Sequence, residues 1–224
     1  MFERLLETRR DGKYGISKVY RILTELDTNT KLIFITKWER DMGVGFDEDR
    51  QRKMFRLIHD NVSMREVEVN YKCVTRWHIT PSVEHKMNGE NSNMCWRGCG
   101  EIGTVFHIWW ECPKIQAFWK IIVKLIEEIT EIDIGLDPTT CLLYNVETSV
   151  NKYKDSGIWY FLNAAKGLIP KFWRRSEVPR EEDWINRVNQ IGRMKRSYHM
   201  QEDRMRVYFR RWGKVGKSRI EREI

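Results

Sequence analysis

Eighteen residues near the middle of the chain, CWRGCGEIGTVFHIWWEC, hold three cysteines and one histidine at the spacing Cys95-x3-Cys99-x7-His107-x4-Cys112. Thiolate and imidazole hold zinc tetrahedrally, and a backbone can aim two ligands at one ion when few residues separate them. Both outer pairs fall within that range. The spacing therefore predicts Cys95, Cys99, His107 and Cys112 as ligands of a structural Zn2+, with no position left for a catalytic water. The competing reading, buried thiols and a core histidine, suits a lone residue better than four ligands in one short window. Gly98 and Gly100 flank Cys99 and permit a tight turn there. His107 and Cys112 would lie about 140° out of register on one straight helix. Pro113 removes the difficulty: it disfavours α geometry at Cys112 and suits the first position of a new helix. Cys112 then stands at a helix N-terminus, where the dipole favours its thiolate.

The remaining chain reads as helices. The strongest pattern follows the cysteines, with Ile115, Phe118, Trp119, Ile122, Leu125, Ile126 and Ile129 at three- and four-residue steps over 113–130. Helical stripes also run over 14–26, over 30–43 with Gly43 as C-cap, over 47–62 with acids at its start, and from Ser63 with Glu66 as a capping box. Pro81 interrupts, and an Asn/Gly-rich loop leads to the cysteines. Helix resumes after residue 156 and is kinked or ended near Pro170. A last pattern places Trp184, Val188, Ile191, Tyr198, Met205, Phe209 and Trp212 on one face, with Lys195 and Glu202 as polar breaks. No stretch offers convincing strand alternation. The expected fold is mainly α: helical lobes flanking a small zinc-stapled knuckle loop, with a long basic C-terminal helix. Its parts are a helical region over 1–90, the knuckle and its following helix over 91–131, a linker over 132–156 and a basic helical region over 157–224.

The net charge of +8 is unevenly placed. Residues 171–224 hold 16 Lys/Arg against 8 Asp/Glu, while the rest of the chain balances at 24 and 24. A basic tail suits phosphate backbones or anionic surfaces; its bland counterpart is a solvated helix face. Candidate contacts are Lys171, Arg174, Arg175, Arg193, Lys195, Arg196, Arg210 and Arg211. Within the cysteine window, aromatic rings alternate with a basic residue, a composition that stacks bases and meets phosphate. Trp96 and Arg97 are expected to be exposed contacts, and Trp109 or Trp110 to cover the metal and pack on the next helix. Cys73 and Cys141 read as buried thiols.

The cysteine window, with TRWHITP before it and PKIQAFWKIIVKLI after it, resembles the cysteine-rich C-terminal segment of the reverse-transcriptase polyprotein of LINE-class, non-LTR retrotransposons. The resemblance is closest over 76–119 and looser toward the C-terminus. It implies metal binding by Cys95, Cys99, His107 and Cys112, and binding of element RNA through an aromatic–basic signature that falls on Trp96, Arg97, Trp109 and Trp110. It also implies the polymerase part of the same element as a partner. The chain has no Asp-Asp pair, so it lacks the carboxylates that hold the two metal ions of a polymerase.

These features point to a nucleic-acid-binding accessory region, with RNA or a single strand as ligand, rather than an enzyme. The alternative is a structural or protein-interaction module, or the fragment of a truncated element copy. No apolar run of about 18 residues would span a membrane. The N-terminus lacks an export signal, and an odd cysteine count argues against a disulfide framework. The expected setting is intracellular, cytoplasmic or nuclear.

Overall fold

The computed structural model describes residues 32–59, 64–144 and 157–201, with side chains for all of these but 56–59 and 197–201. The helix expected over 14–26, Arg210, Arg211 and the seam's side chains from Tyr198 onward lie outside the described residues. The described chain is mainly helical. Its helices are α1 (Ile33–Met42), α2 (Glu48–His59), α3 (Met64–Val74), α4 (Pro81–Met87), α5 (Pro113–Thr130), α6 (Pro138–Leu143), α7 (Ile158–Leu168) and α8 (Glu181–Gln201). A π-turn (His107–Glu111) precedes α5, and a 3-10 turn (Ile169–Phe172) follows α7. Among the described residues, the one β-type pairing is an isolated bridge between Met94 and Ile102.

Local chemistry sets the helix ends. Gly43 ends α1 in the left-handed conformation at φ 68°. Asp47 Oδ1 accepts from Arg50 N at 2.7 Å and so caps α2. Proline opens α4, α5 and α6, where its missing N–H costs nothing.

The centre of the fold is α7. Its IWYFLNAAKGL sequence is apolar nearly all round, and Ile158 to Lys166 and Leu168 are buried. Helices α3, α5, α6 and α8 all pack on it. Helix α5 turns Ile115, Phe118, Trp119, Ile122 and Ile126 inward, as its spacing predicts. Trp184, Val188 and Ile191 of α8 are buried too, but Lys195 does not break that face: it is 8% exposed, with its ammonium 4.7 Å from the Tyr160 ring centroid. Its stem packs and its charge rests on the ring, a common way to bury a lysine.

Three large tryptophans anchor this core without stranding a donor. Trp38 Nε1 donates to Val74 O (2.7 Å), Trp119 Nε1 to Trp109 O (2.9 Å) and Trp184 Nε1 to Phe161 O (3.0 Å). A buried indole N–H without a partner would cost as much as a lost hydrogen bond.

Two expectations need correction. The segment after Pro81 is not simply a loop, because proline starts α4 rather than interrupting a helix. The described part of the expected linker also belongs to the core: Ile134 and Thr139 to Tyr144 are buried. Asp137 caps α6 there, accepting from Thr140 N at 2.8 Å. Tyr144 Oη donates to Asn70 Oδ1 of α3 at 2.6 Å. The helical regions on either side therefore share one core.

Lys166 of α7 fastens α6 from within. Its Nζ donates to Leu142 O at 3.1 Å, near the end of α6, and lies 3.2 Å from the Tyr144 ring centroid. Burial nevertheless pushes its ammonium down to about 7, against the opposing pull of Cys73 and Cys141. The unfolded lysine keeps its proton to much higher pH, so stability should rise with pH from about 7, by at most about 1.4 kcal/mol per pH unit. Above about pH 8.5 the buried thiols of Cys73 and Cys141, held up at about 11 and 12, work in the opposite direction. Urea unfolding between these limits checks this, and Lys166→Met should flatten the rise relative to the unmutated chain.

Candidate metal centre

The knuckle is built from short-range bonds. Cys95 N donates to Glu101 O (2.8 Å) and Gly103 N to Asn93 O (2.9 Å), which closes the loop around the Met94–Ile102 bridge. Gly98 (φ 68°) and Gly100 (φ 86°) take left-handed geometry and turn the chain tightly about Cys99. A Cβ on Gly103 would run into the Pro81 ring, so glycine lets the loop lie against the start of α4.

His107 and Cys112 meet by two devices. Cys112 is extended (φ −54°, ψ 126°) ahead of Pro113, as the sequence predicts. The second device is the π-turn: Cys112 N donates to His107 O at 2.9 Å, an i→i+5 bond that brings residues five apart together. Thr104 Oγ1 accepts from His107 N at 3.0 Å and steadies the start of that turn.

The four expected ligands converge. One donor atom from each of Cys95, Cys99, His107 and Cys112 lies within 4.8 Å of the others. Cys95 Sγ and Cys112 Sγ are 4.0 Å apart, and Cys99 Sγ is 3.2 Å from His107 Nε2. Cys95, His107 and Cys112 are buried, and Cys99 is half-buried. This set could hold a metal ion.

The electrostatics suit that role. Burial pushes the Cys95 thiol up, and the charges of Cys112 and Cys99 oppose its ionisation further. Burial also acts against Cys112, but the N–H groups of Lys114 and Ile115 at the start of α5 and the Arg97 guanidinium outweigh it and hold that thiol below its ordinary range. Burial and the Arg97 charge lower His107, which keeps its imidazole neutral and able to ligate.

Arg97 is not the exposed contact expected of it. It is 1% exposed, donating from Nη1 to Ile108 O at 2.8 Å, while Nε and Nη2 are buried without a hydrogen-bond acceptor. A dication held by three thiolates would carry one net negative charge, which the buried guanidinium beside Cys112 would balance. Arg97 therefore belongs to the interior of the centre.

The other aromatic and basic residues divide by burial. Trp109 and Trp110 are buried, and Trp110 packs against Trp119 of α5 with centroids 5.9 Å apart. Trp96 is half-buried. Lys171, Arg174, Arg175, Arg193 and Arg196 are exposed, whereas Lys195 is buried on α8. Arg174 pairs with Glu84 and lies over Trp96, 5.7 Å from its centroid.

Three participants had no signal in the sequence. Lys114 donates to Arg97 O at 2.6 Å and to Ser176 O at 3.3 Å. Trp173 donates from Nε1 to Ile79 O at 2.6 Å and packs against His78 and Trp109. Gly103 was one glycine among 14; only its approach to Pro81 separates it from the rest.

Arg97→Met should weaken metal binding by about 10–100-fold, the usual effect of losing a group that supports metal ligands, as read by competition with a chromogenic chelator. Gly103→Ala should lower the melting temperature by several degrees because the Pro81 ring must move, whereas alanine at Gly89, in open space, should cost much less. No protein-family model matches the chain, so the cluster's own geometry carries the functional reading.

Proposed function

We propose that this chain is a zinc-stapled, nucleic-acid-binding accessory region, with RNA as the first ligand to test. In this reading it serves the polymerase of a LINE-class element, as its resemblance to such polyproteins implies, and performs no chemistry itself. One observation carries the proposal: three thiols and an imidazole converge, with one donor atom of each within 4.8 Å of the others. Zinc at its usual bond lengths would set two sulfurs about 3.8 Å apart and a sulfur and nitrogen about 3.6 Å apart. The corresponding separations here are 4.0 Å and 3.2 Å. A soft, closed donor set of this kind favours zinc over magnesium or calcium. The exposed cations Lys171, Arg174, Arg175, Arg193 and Arg196 support the nucleic-acid part. Arg97 and Lys195, both buried, drop out of the proposed contact set.

Protein purified without added metal should carry stoichiometric zinc by mass spectrometry, and the Cys95→Ser, Cys99→Ser double variant should lose it. Absence of zinc from the unmutated protein would overturn the metal reading. Affinity for RNA should fall by about tenfold or more between roughly 50 and 200 mM salt, because each neutralised phosphate releases counterions. A flat response would count against nucleic-acid binding.

A second reading, a protein-docking module, is favoured by apolar side chains left in solvent: Met64 (81% exposed), Met87 (74%) and Trp77 (70%). A concentration-dependent sedimentation shift without any RNA binding would select it.

A further inference from the structure

Two consecutive arginines near the start of the C-terminal region each lie over an aromatic ring. Arg174 stands 5.7 Å from the centroid of Trp96, and Arg175 stands 5.4 Å from that of Phe172. Both arginines are exposed, as is Lys171 just before them, while Trp96 and Phe172 are half-buried. Trp96 comes from the knuckle, and the other four residues come from the turn after α7.

Trp173 and Lys114 lock these two pieces together. The Trp173 ring meets Trp96 at 6.3 Å, Trp109 at 5.5 Å and His78 at 4.7 Å, and its Nε1 donates to Ile79 O. Lys114 Nζ bridges Arg97 O in the knuckle and Ser176 O beyond the turn. The knuckle, with its Trp96 ring, and the turn are thus fixed against each other before any ligand arrives.

We propose that Trp96, Lys171, Phe172, Arg174 and Arg175 form one composite seat for the unpaired bases of a single-stranded nucleic acid. It rests on the nucleic-acid reading above and specifies the atoms involved. Bases stack on the two rings and on the guanidinium planes, and the cations take the phosphates. Charge complementarity selects this occupant over an apolar partner, since an exposed arginine lies over each ring. Glu84, which pairs with Arg174, yields that guanidinium to a phosphate. No ion-pair partner of Arg175 occurs among the described residues. Held rings lose little freedom on binding. A duplex, whose bases are already stacked, gains only the phosphate contacts.

The test uses the zinc-loaded full chain and fluorescence anisotropy with labelled oligouridylate, oligothymidylate and a fully paired RNA duplex. Trp96→Leu should weaken binding to a single strand about fivefold or more, with duplex affinity and zinc content unchanged. The two oligomers decide whether the strand is RNA, DNA or either. Phe172→Leu, outside the knuckle, should act in the same direction and guards against a Trp96 variant that loses zinc. Arg175→Gln should lower the salt slope by about one phosphate contact. Wild-type single-strand affinity in both ring variants, with zinc retained, overturns the seat and leaves the nucleic-acid reading standing. Failure of the unmutated chain to bind any of the three probes overturns both.

Discussion

Three thiols and an imidazole within 4.8 Å of one another, largely shut off from water, pose a charge problem that the rest of the molecule is arranged around. Each ionised sulfur makes the next harder to ionise, and burial adds to the cost. The chain supplies three compensations: the N–H groups that open α5, the Arg97 guanidinium beside Cys112, and a donor set ready for a dication. Remove the positive charge and the remaining sulfurs favour their neutral form. A dication bound there would fasten the loop, the π-turn and α5 at a single point.

That point also orients the surroundings. The Arg97 guanidinium reaches inward to Ile108 O, and its backbone carbonyl accepts from Lys114. Lys114 extends to Ser176, and Trp173 closes the same junction through Ile79. The knuckle, the turn after α7 and the segment before α4 thus share one boundary. A surface built this way joins residues nearly eighty positions apart, with an exposed arginine over each of two rings.

Behind the knuckle, α7 acts as the common wall. Its buried Lys166 holds the end of α6 by the Leu142 carbonyl, and Tyr144 reaches from α6 to Asn70 on α3. These buried polar bonds impose register on an otherwise apolar interface. Slippage would strand a charge or a hydroxyl away from any partner.

Much of this was legible in the sequence because it follows from short-range rules. The ligand set, the glycine turns about Cys99, the extended Cys112 and the whole span of Pro113–Thr130 depend on spacing, proline geometry and helical periodicity within a few residues. Burial of Cys73 and Cys141 was also legible, and that of one of Trp109 and Trp110; the structure buries both tryptophans. What tertiary structure alone decided was the direction of the polar side chains. Arg97 and Lys195 look like surface cations until a carbonyl, a thiolate or a ring elsewhere in the fold receives them. Likewise the π-turn at His107 and the burial of Thr139 to Tyr144 are settled by what lies opposite them. A charge enters a protein interior only where a distant partner compensates for lost water, and one-dimensional spacing does not record that partner.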